Sequence, residues 1–307
     1  MPRSCRILQA TALGDAVGAG YEFADAAITR IFRLAHGFRQ HGLYAEIEPG
    51  MFTDDTLMSC GVAGAMLVEC SEAVPENAVR PPIGQAVLAQ NFLDIHRAHP
   101  GKGYSKHVET ALQTSADRYD FLDYFEQTYR SDSNGAAMRS APYGVFSDLA
   151  FVLASARNGA AITHSGWGVR AAEAVAAASH YAFHRIGPRN DLNRWLSQNL
   201  DAAWTTRYRE AIEGRNGPLG LITVLAALTI VRESQTLTEV LERAVRIGGD
   251  VDSVAAIGMA IAVSFDEIAD DLPADLWTSV RPVSGLGMPQ IAALDAEVGA
   301  LAELPLP

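Results

Sequence analysis

Apolar residues recur at helical spacing over most of this chain, and alanine fills many of the positions between them. The clearest runs are Gly61–Cys70, Arg170–His184 and Leu219–Arg232, where the recurrence at three and four residues and the strong helix formers predict α-helices. Strand-like alternation bounded by turn residues is scarce, so the expected fold class is all-α. Breaks fall at Pro81-Pro82, His99-Pro100-Gly101, Ser133-Asn134-Gly135 and Gly214–Pro218, each separating helical segments. None is long enough to be a flexible interdomain linker, so residues 1–307 read as a single domain. There is no fixed-period repeat and no low-complexity tract.

Composition narrows the class. Apolar residues make up 49% and charged residues 20%, which excludes the low-hydrophobicity, high-charge signature of disorder. The 24 Lys and Arg against 36 Asp and Glu give a net charge of −12, and no basic run is present to neutralise a phosphate backbone, so nucleic acid is not an expected partner. The longest strongly apolar run, Leu219–Val231, falls short of the roughly 20 residues that span a bilayer, so no membrane is expected either. Cys5, Cys60 and Cys70 are an odd number without CxxC spacing, against both a disulfide framework and a zinc site. Arg3 and Arg6 are followed by Asp15 and several glycines rather than by an apolar signal core, and a cytoplasmic location is the expectation.

Three acidic motifs interrupt the helical pattern: GDAVGAGYE at Gly14–Glu22, FTDDT at Phe52–Thr56 and GGDVDS at Gly248–Ser253. In the second, Thr53 is placed to cap the helix through Leu57, Met58 and Val62, with Asp54 and Asp55 in its first turn. In the third, Gly248-Gly249 break one helix and the next begins near Asp250, with Asp252 and Ser253 in its first turn. One such helix start is an ordinary cap, worth about 1 kcal/mol. Two, each with paired carboxylates and a hydroxyl, together with Glu22, carry more. Converging carboxylates raise one another's pKa, and a hard cation relieves the repulsion. Oxygen donors without His or Cys suit Mg²⁺ or Mn²⁺ rather than zinc. Two divalent ions would bring five carboxylates to a charge of about −1, which admits an anionic ligand despite the acidic chain.

In order and spacing these motifs, with GYS at Gly103–Ser105, SNGAAMR at Ser133–Arg139 and THS at Thr163–Ser165, resemble the ADP-ribosylglycohydrolase family, which includes dinitrogenase reductase-activating glycohydrolases and ADP-ribosylarginine and ADP-ribosylserine hydrolases. The resemblance covers nearly the whole chain. It implies a helical fold with a binuclear metal site at helix N-termini. One metal would take Thr53, Asp54, Asp55 and Asp252, and the other Asp250, Asp252 and Ser253, with Asp252 bridging and Glu22 close by. The family's GGDTDT reads GGDVDS here. Val251 replaces a non-ligand threonine, and Ser253 keeps the ligand oxygen of the threonine it replaces. A second departure, Ile257–Ile261 where small residues and glycines are usual, bears only on local helix packing.

Asn134-Gly135 reads as a tight turn opening a helix through Ala136, Ala137 and Met138, with exposed N–H groups suited to phosphate. The resemblance places the ADP-ribose diphosphate there, on Ser133, Asn134, Gly135 and Met138, with His164 beside it and Gly103 and Tyr104 over the ligand. His164 and Tyr104 read equally as buried core residues, and Asp15 as either a residue behind the ligands or a turn former. The implied reaction is hydrolysis at the anomeric carbon of the distal ribose, releasing ADP-ribose from a protein side chain, arginine first among them. Glu22 is the expected acid/base, with Asp54 or Asp55 as alternatives. Rival readings are a hydrolase of a free ADP-ribose derivative or other N-riboside, and a non-catalytic ADP-ribose-binding or structural protein. Five mutually repelling carboxylates argue against the last. Asp94, His96 and Lys102 are acceptor contacts by position alone.

Overall fold

The computed structural model describes residues 5–71, 79–200 and 219–304. Helices α1 (Ile7–Ala19), α2 (Ala26–Thr29), α3 (Asp54–Ser71), α4 (Gln85–Ala98), α5 (Lys106–Thr114), α6 (Arg118–Gln127) and α7 (Leu149–Thr163) are followed by α8 (Gly166–Phe183), α9 (Leu192–Asn199), α10 (Leu219–Glu233), α11 (Leu237–Arg246), α12 (Val251–Ala262), α13 (Ala274–Thr278) and α14 (Met288–Ala300). Among the described residues there are isolated β-bridges but no strand, as the helical periodicity predicts. The run expected at Gly61–Cys70 is the later part of α3, and the run at Arg170–His184 is most of α8. The break at Gly214–Pro218 lies outside the described residues.

Two helices that are apolar nearly all round lie at the centre. Every residue of α12 is buried, and every residue of α1 except Gln9. They pack along each other closely enough to require glycine. A Cβ on Gly14 would meet the carbonyl oxygen of Ala255 at 2.4 Å, and one on Gly18 the Cα of Asp252 at 2.3 Å. The glycines of GDAVGAGYE therefore form a groove on α1 that lets the N-terminal turn of α12 approach.

Buried aspartates cap two of the central helices from across the core. Asp295 of α14 accepts from the amides of Leu8 and Gln9 at the start of α1. Asp15 of α1 accepts from the amides of Thr53 and Thr56 and from both their hydroxyls, at 2.6–3.0 Å, at the start of α3. The expectation that Thr53 caps α3 by its side chain is therefore corrected. Its hydroxyl donates to Asp15, which supplies the capping acceptor that Thr53 was expected to be. The helix expected after Asn134-Gly135 is also absent. A 3₁₀ turn, Asn134–Ala136, stands there instead. Arg139 Nη1 donates to the carbonyl of Gly135 and Ser140 Oγ to that of Ala136. Side chains thus take the carbonyls that an α-helix would give to the amides four residues on.

Candidate active site

The α1–α12 contact fixes where the acids meet. Glu22 follows the end of α1, Asp54 and Asp55 begin α3, and Asp250 and Asp252 begin α12. One cavity is lined by all five, by Ser253, by Gly103 and Tyr104, by Ser133, Asn134, Gly135 and Met138, and by His164. Of the residues expected to hold the metals or ADP-ribose, Thr53 alone is not on that surface; it is buried behind it with its hydroxyl on Asp15. Asp94 and Lys102 do not reach the cavity. His96 touches it only indirectly, edge-on to the Tyr104 ring.

Carboxylate oxygens of Glu22, Asp250 and Asp252 lie within 4.8 Å of one another. Ser253 Oγ donates to Asp55 Oδ2 at 3.3 Å and so links α12 to α3. The second oxygen of Asp55 is buried with no hydrogen-bond partner. The contrast with the capping aspartates is informative. Asp15 and Asp295 are saturated with donors, whereas Asp55 is equally buried and has an oxygen left over. Burial pushes Asp54, Asp55 and Asp252 well above the usual carboxylate range, and the neighbouring carboxylates push them further. Burial also raises Glu22, opposed by its hydrogen bond from His41, and holds Asp15 at about 6 against the pull of its four donors. Such a set fits a divalent cation with oxygen preference and does not fit an empty core.

The 3₁₀ turn and His164 line the same cavity. Asn134 Nδ2 donates to Asp250 Oδ2 at 2.6 Å and to Thr223 Oγ1 at 3.2 Å, tying the 3₁₀ turn to the start of α12. His164 is buried, with Nε2 3.2 Å from Ser133 Oγ and Nδ1 2.7 Å from Thr163 Oγ1. Burial and the neighbouring Arg139 depress it to about 3, so it is neutral at physiological pH. Gly135 lies where a Cβ would press on the imidazole at 3.2 Å, and Gly103, at φ +108°, where a Cβ would strike Asp54 Oδ1 at 2.1 Å. Only glycine fits at position 103. Tyr104 is buried with its hydroxyl unpartnered, and burial, then Asp54, raises its pKa.

Of the two readings open for Asp15, a residue behind the ligands or a turn former, the structure bears out the first. Two residues with evident roles have no assignment from sequence. Arg139 ends SNGAAMR. It is buried, and its guanidinium reaches the carbonyls of Gly135 and Gly159 and the hydroxyl of Thr163, bracing the turn against α7. His41 had no motif at all, yet its Nε2 is 2.8 Å from Glu22 Oε2. At the rim, the His107 ring stacks on Tyr129 at 4.0 Å.

A sequence profile of the ADP-ribosylglycohydrolases matches residues 3–300. No curated protein sequence matches the chain. Among solved structures, one described as an ADP-ribosylglycohydrolase-related protein complex superposes with a TM-score of 0.70 at 21% identity, over 98% of this chain and 99% of that one. At that identity the likeness is one of fold.

Proposed function

Since the chain belongs to the ADP-ribosylglycohydrolase family, hydrolases of glycosyl ADP-ribose bonds, we propose that it is a metal-dependent enzyme that releases ADP-ribose from a modified protein side chain, with arginine the first acceptor to test. The observation that carries the metal dependence is the buried, unpartnered Asp55 oxygen on the cavity that also holds the Glu22, Asp250 and Asp252 cluster. Asp54, Asp55, Asp250, Asp252 and Ser253, with Thr53 behind them, would hold two Mg²⁺ or Mn²⁺ ions. When bound, the ions would supply Lewis acidity at the ribose and lower the pKa of water.

The chain's own residues do the rest. Glu22 is the acid/base: burial raises its pKa, the direction that favours a group that both takes and gives a proton. Asn134 orients Asp250 and presents the turn against which the diphosphate lies. With no helix N-terminus there, anion binding falls to the N–H groups of Asn134 and Gly135, the Ser133 N–H being taken by Ser131 Oγ, and to the cations. Neutral His164 is suited to hydrogen-bonding the ligand rather than to pairing with its charge. Tyr104 has a free hydroxyl donor over the same cavity. The three cysteines are buried and unpaired, which suits a reducing cytoplasm, and no helix among the described residues is long and apolar enough to cross a membrane.

The test is a panel of ADP-ribosylated arginine, ADP-ribosylated serine and small ADP-ribose conjugates, each assayed with Mg²⁺, with Mn²⁺ and with EDTA. Release of ADP-ribose from a protein substrate, lost in EDTA and restored by metal, is the expected result. Full activity after exhaustive chelation would refute the metal dependence, and turnover of small conjugates alone would refute the acceptor.

A further inference from the structure

We propose that His41 is the positioning residue for Glu22, fixing one carboxylate oxygen so that the other is presented to the reacting group. The inference rests on the reading of Glu22 as the acid/base. The His41 side chain is 1% exposed, and its Nε2 lies 2.8 Å from Glu22 Oε2. What makes this more than a chance contact is the other ring nitrogen. Nδ1 receives two backbone amides, Leu43 N at 3.0 Å and Tyr44 N at 3.2 Å. Two N–H donors aimed at Nδ1 require a lone pair there, so the ring proton sits on Nε2 and is donated to Glu22. The turn after His41 thus selects the tautomer.

The loop that carries the imidazole is itself braced. Gln40 Nε2 donates to the carbonyl of Ile47 at 2.7 Å and reaches those of Tyr44 and Ala45, and the Tyr44 ring packs against the imidazole at 5.1 Å. Glu22 needs such a restraint. Its side chain is long and flexible, and its near neighbours across the cavity, Asp250 and Asp252, are acids with oxygens within 4.8 Å. Like charges drive a free glutamate away from the cluster. A single N–H from a braced ring outside the cavity lining holds it in place, as a partner behind an active-site ligand sets that ligand's orientation. His41 touches Glu22 and does not line the cavity.

The experiment is a double-mutant cycle of His41→Leu with Glu22→Gln, with His41→Gln added, assayed on whichever ADP-ribosyl conjugate the wild type turns over. Loss of an orienting partner typically costs about 10- to 100-fold. His41→Leu is expected to lower kcat by that factor with KM and ADP-ribose affinity within about threefold, because the ligand-binding wall is untouched. His41→Gln, whose amide nitrogen can stand where Nε2 stands, is expected to recover most of the rate. In the Glu22→Gln background His41→Leu is expected to cause no further loss. A His41→Leu rate within twofold of wild type, or the same fractional loss in both backgrounds, overturns the proposal. A Glu22→Gln enzyme with wild-type kcat would instead overturn the acid/base reading beneath it. Independently of turnover, two-bond ¹H–¹⁵N spectra are expected to show the Nε2–H tautomer for His41, and a ring protonated on Nδ1 overturns the proposal whatever the activity.

Discussion

Gly18→Ala sets two magnitudes against each other. Helix propensity alone favours alanine inside α1 by up to about 1 kcal/mol. Against it, the new Cβ would stand 2.3 Å from the Cα of Asp252, 2.7 Å from its amide nitrogen and 3.0 Å from the carbonyl oxygen of Val251. Carbon atoms in contact sit about 3.5–4.0 Å apart, so α1 and α12 must separate by roughly 1 Å, and the obstructing atoms are backbone that cannot rotate away. Overpacking of this kind costs about 1–3 kcal/mol, and the upper end applies between two helices buried on all sides. With an unfolding entropy of about 2.1 cal/mol/K per residue over 307 residues, a net loss of about 2 kcal/mol lowers Tm by roughly 3 °C. The functional effect is larger. A displacement of about 1 Å at Asp252 is of the size that costs about 100-fold in rate. Gly258→Ala is the control: on α12 itself, its Cβ would meet nothing nearer than Val240 Cγ1 at 3.4 Å, so it should be neutral or slightly stabilising. Thermal melting in EDTA and kcat with metal measure both effects. A Gly18→Ala protein that melts at or above wild type with undiminished activity would refute the account of the glycine groove.

Asp252→Ala is expected to abolish activity while leaving helicity and melting near wild type in metal-free buffer, because it removes one charge from a crowded acidic site; loss of helical circular dichroism there would make Asp252 a structural cap instead. Millimolar Mg²⁺ or Mn²⁺ should stabilise the wild type by up to about 3 kcal/mol at a hundredfold excess over Kd, seen as a raised Tm, and should leave the Asp252→Ala Tm unmoved; equal shifts in both would place the ions elsewhere. ADP-ribose should bind more tightly with Mg²⁺ than in EDTA, and replacing Asn134 and Gly135 with bulky residues should weaken it; calorimetry showing neither effect would detach the nucleotide from this cavity. Burial, then His184, depresses His180 to about 4 from an unfolded value near 6.5. Its neutral form therefore contributes stability that is full above pH 6.5 and is lost as pH falls toward 4, about 3 kcal/mol at most. His180→Asn should narrow the stability gap to wild type across that window, and a pH-independent gap would refute the assignment.

The sequence made legible whatever chemistry is written locally. Helix periodicity follows from spacing, and the acidic helix starts announce themselves because Asp, Thr and Gly must cluster within a few residues to begin a helix and present oxygens. What escaped is written across distance. Asp15 reads as either a residue behind the ligands or a turn former until its partners, 38 and 41 residues on, are in place. The error at Thr53 follows from it, since a hydroxyl that would otherwise cap α3 is taken by that carboxylate. The helix expected after Gly135 failed because Arg139 and Ser140, whose propensities do not forbid a helix, spend their side chains on its carbonyls. His41 had no neighbouring signal because its partner lies 19 residues earlier and its tautomer is set by amides that bear no residue identity. A motif therefore identifies the oxygens that face the ligand, and tertiary structure supplies the donors behind them. Those donors decide which carboxylates are satisfied, as Asp15 is, and which are left, as Asp55 is, with a buried oxygen that no protein donor meets.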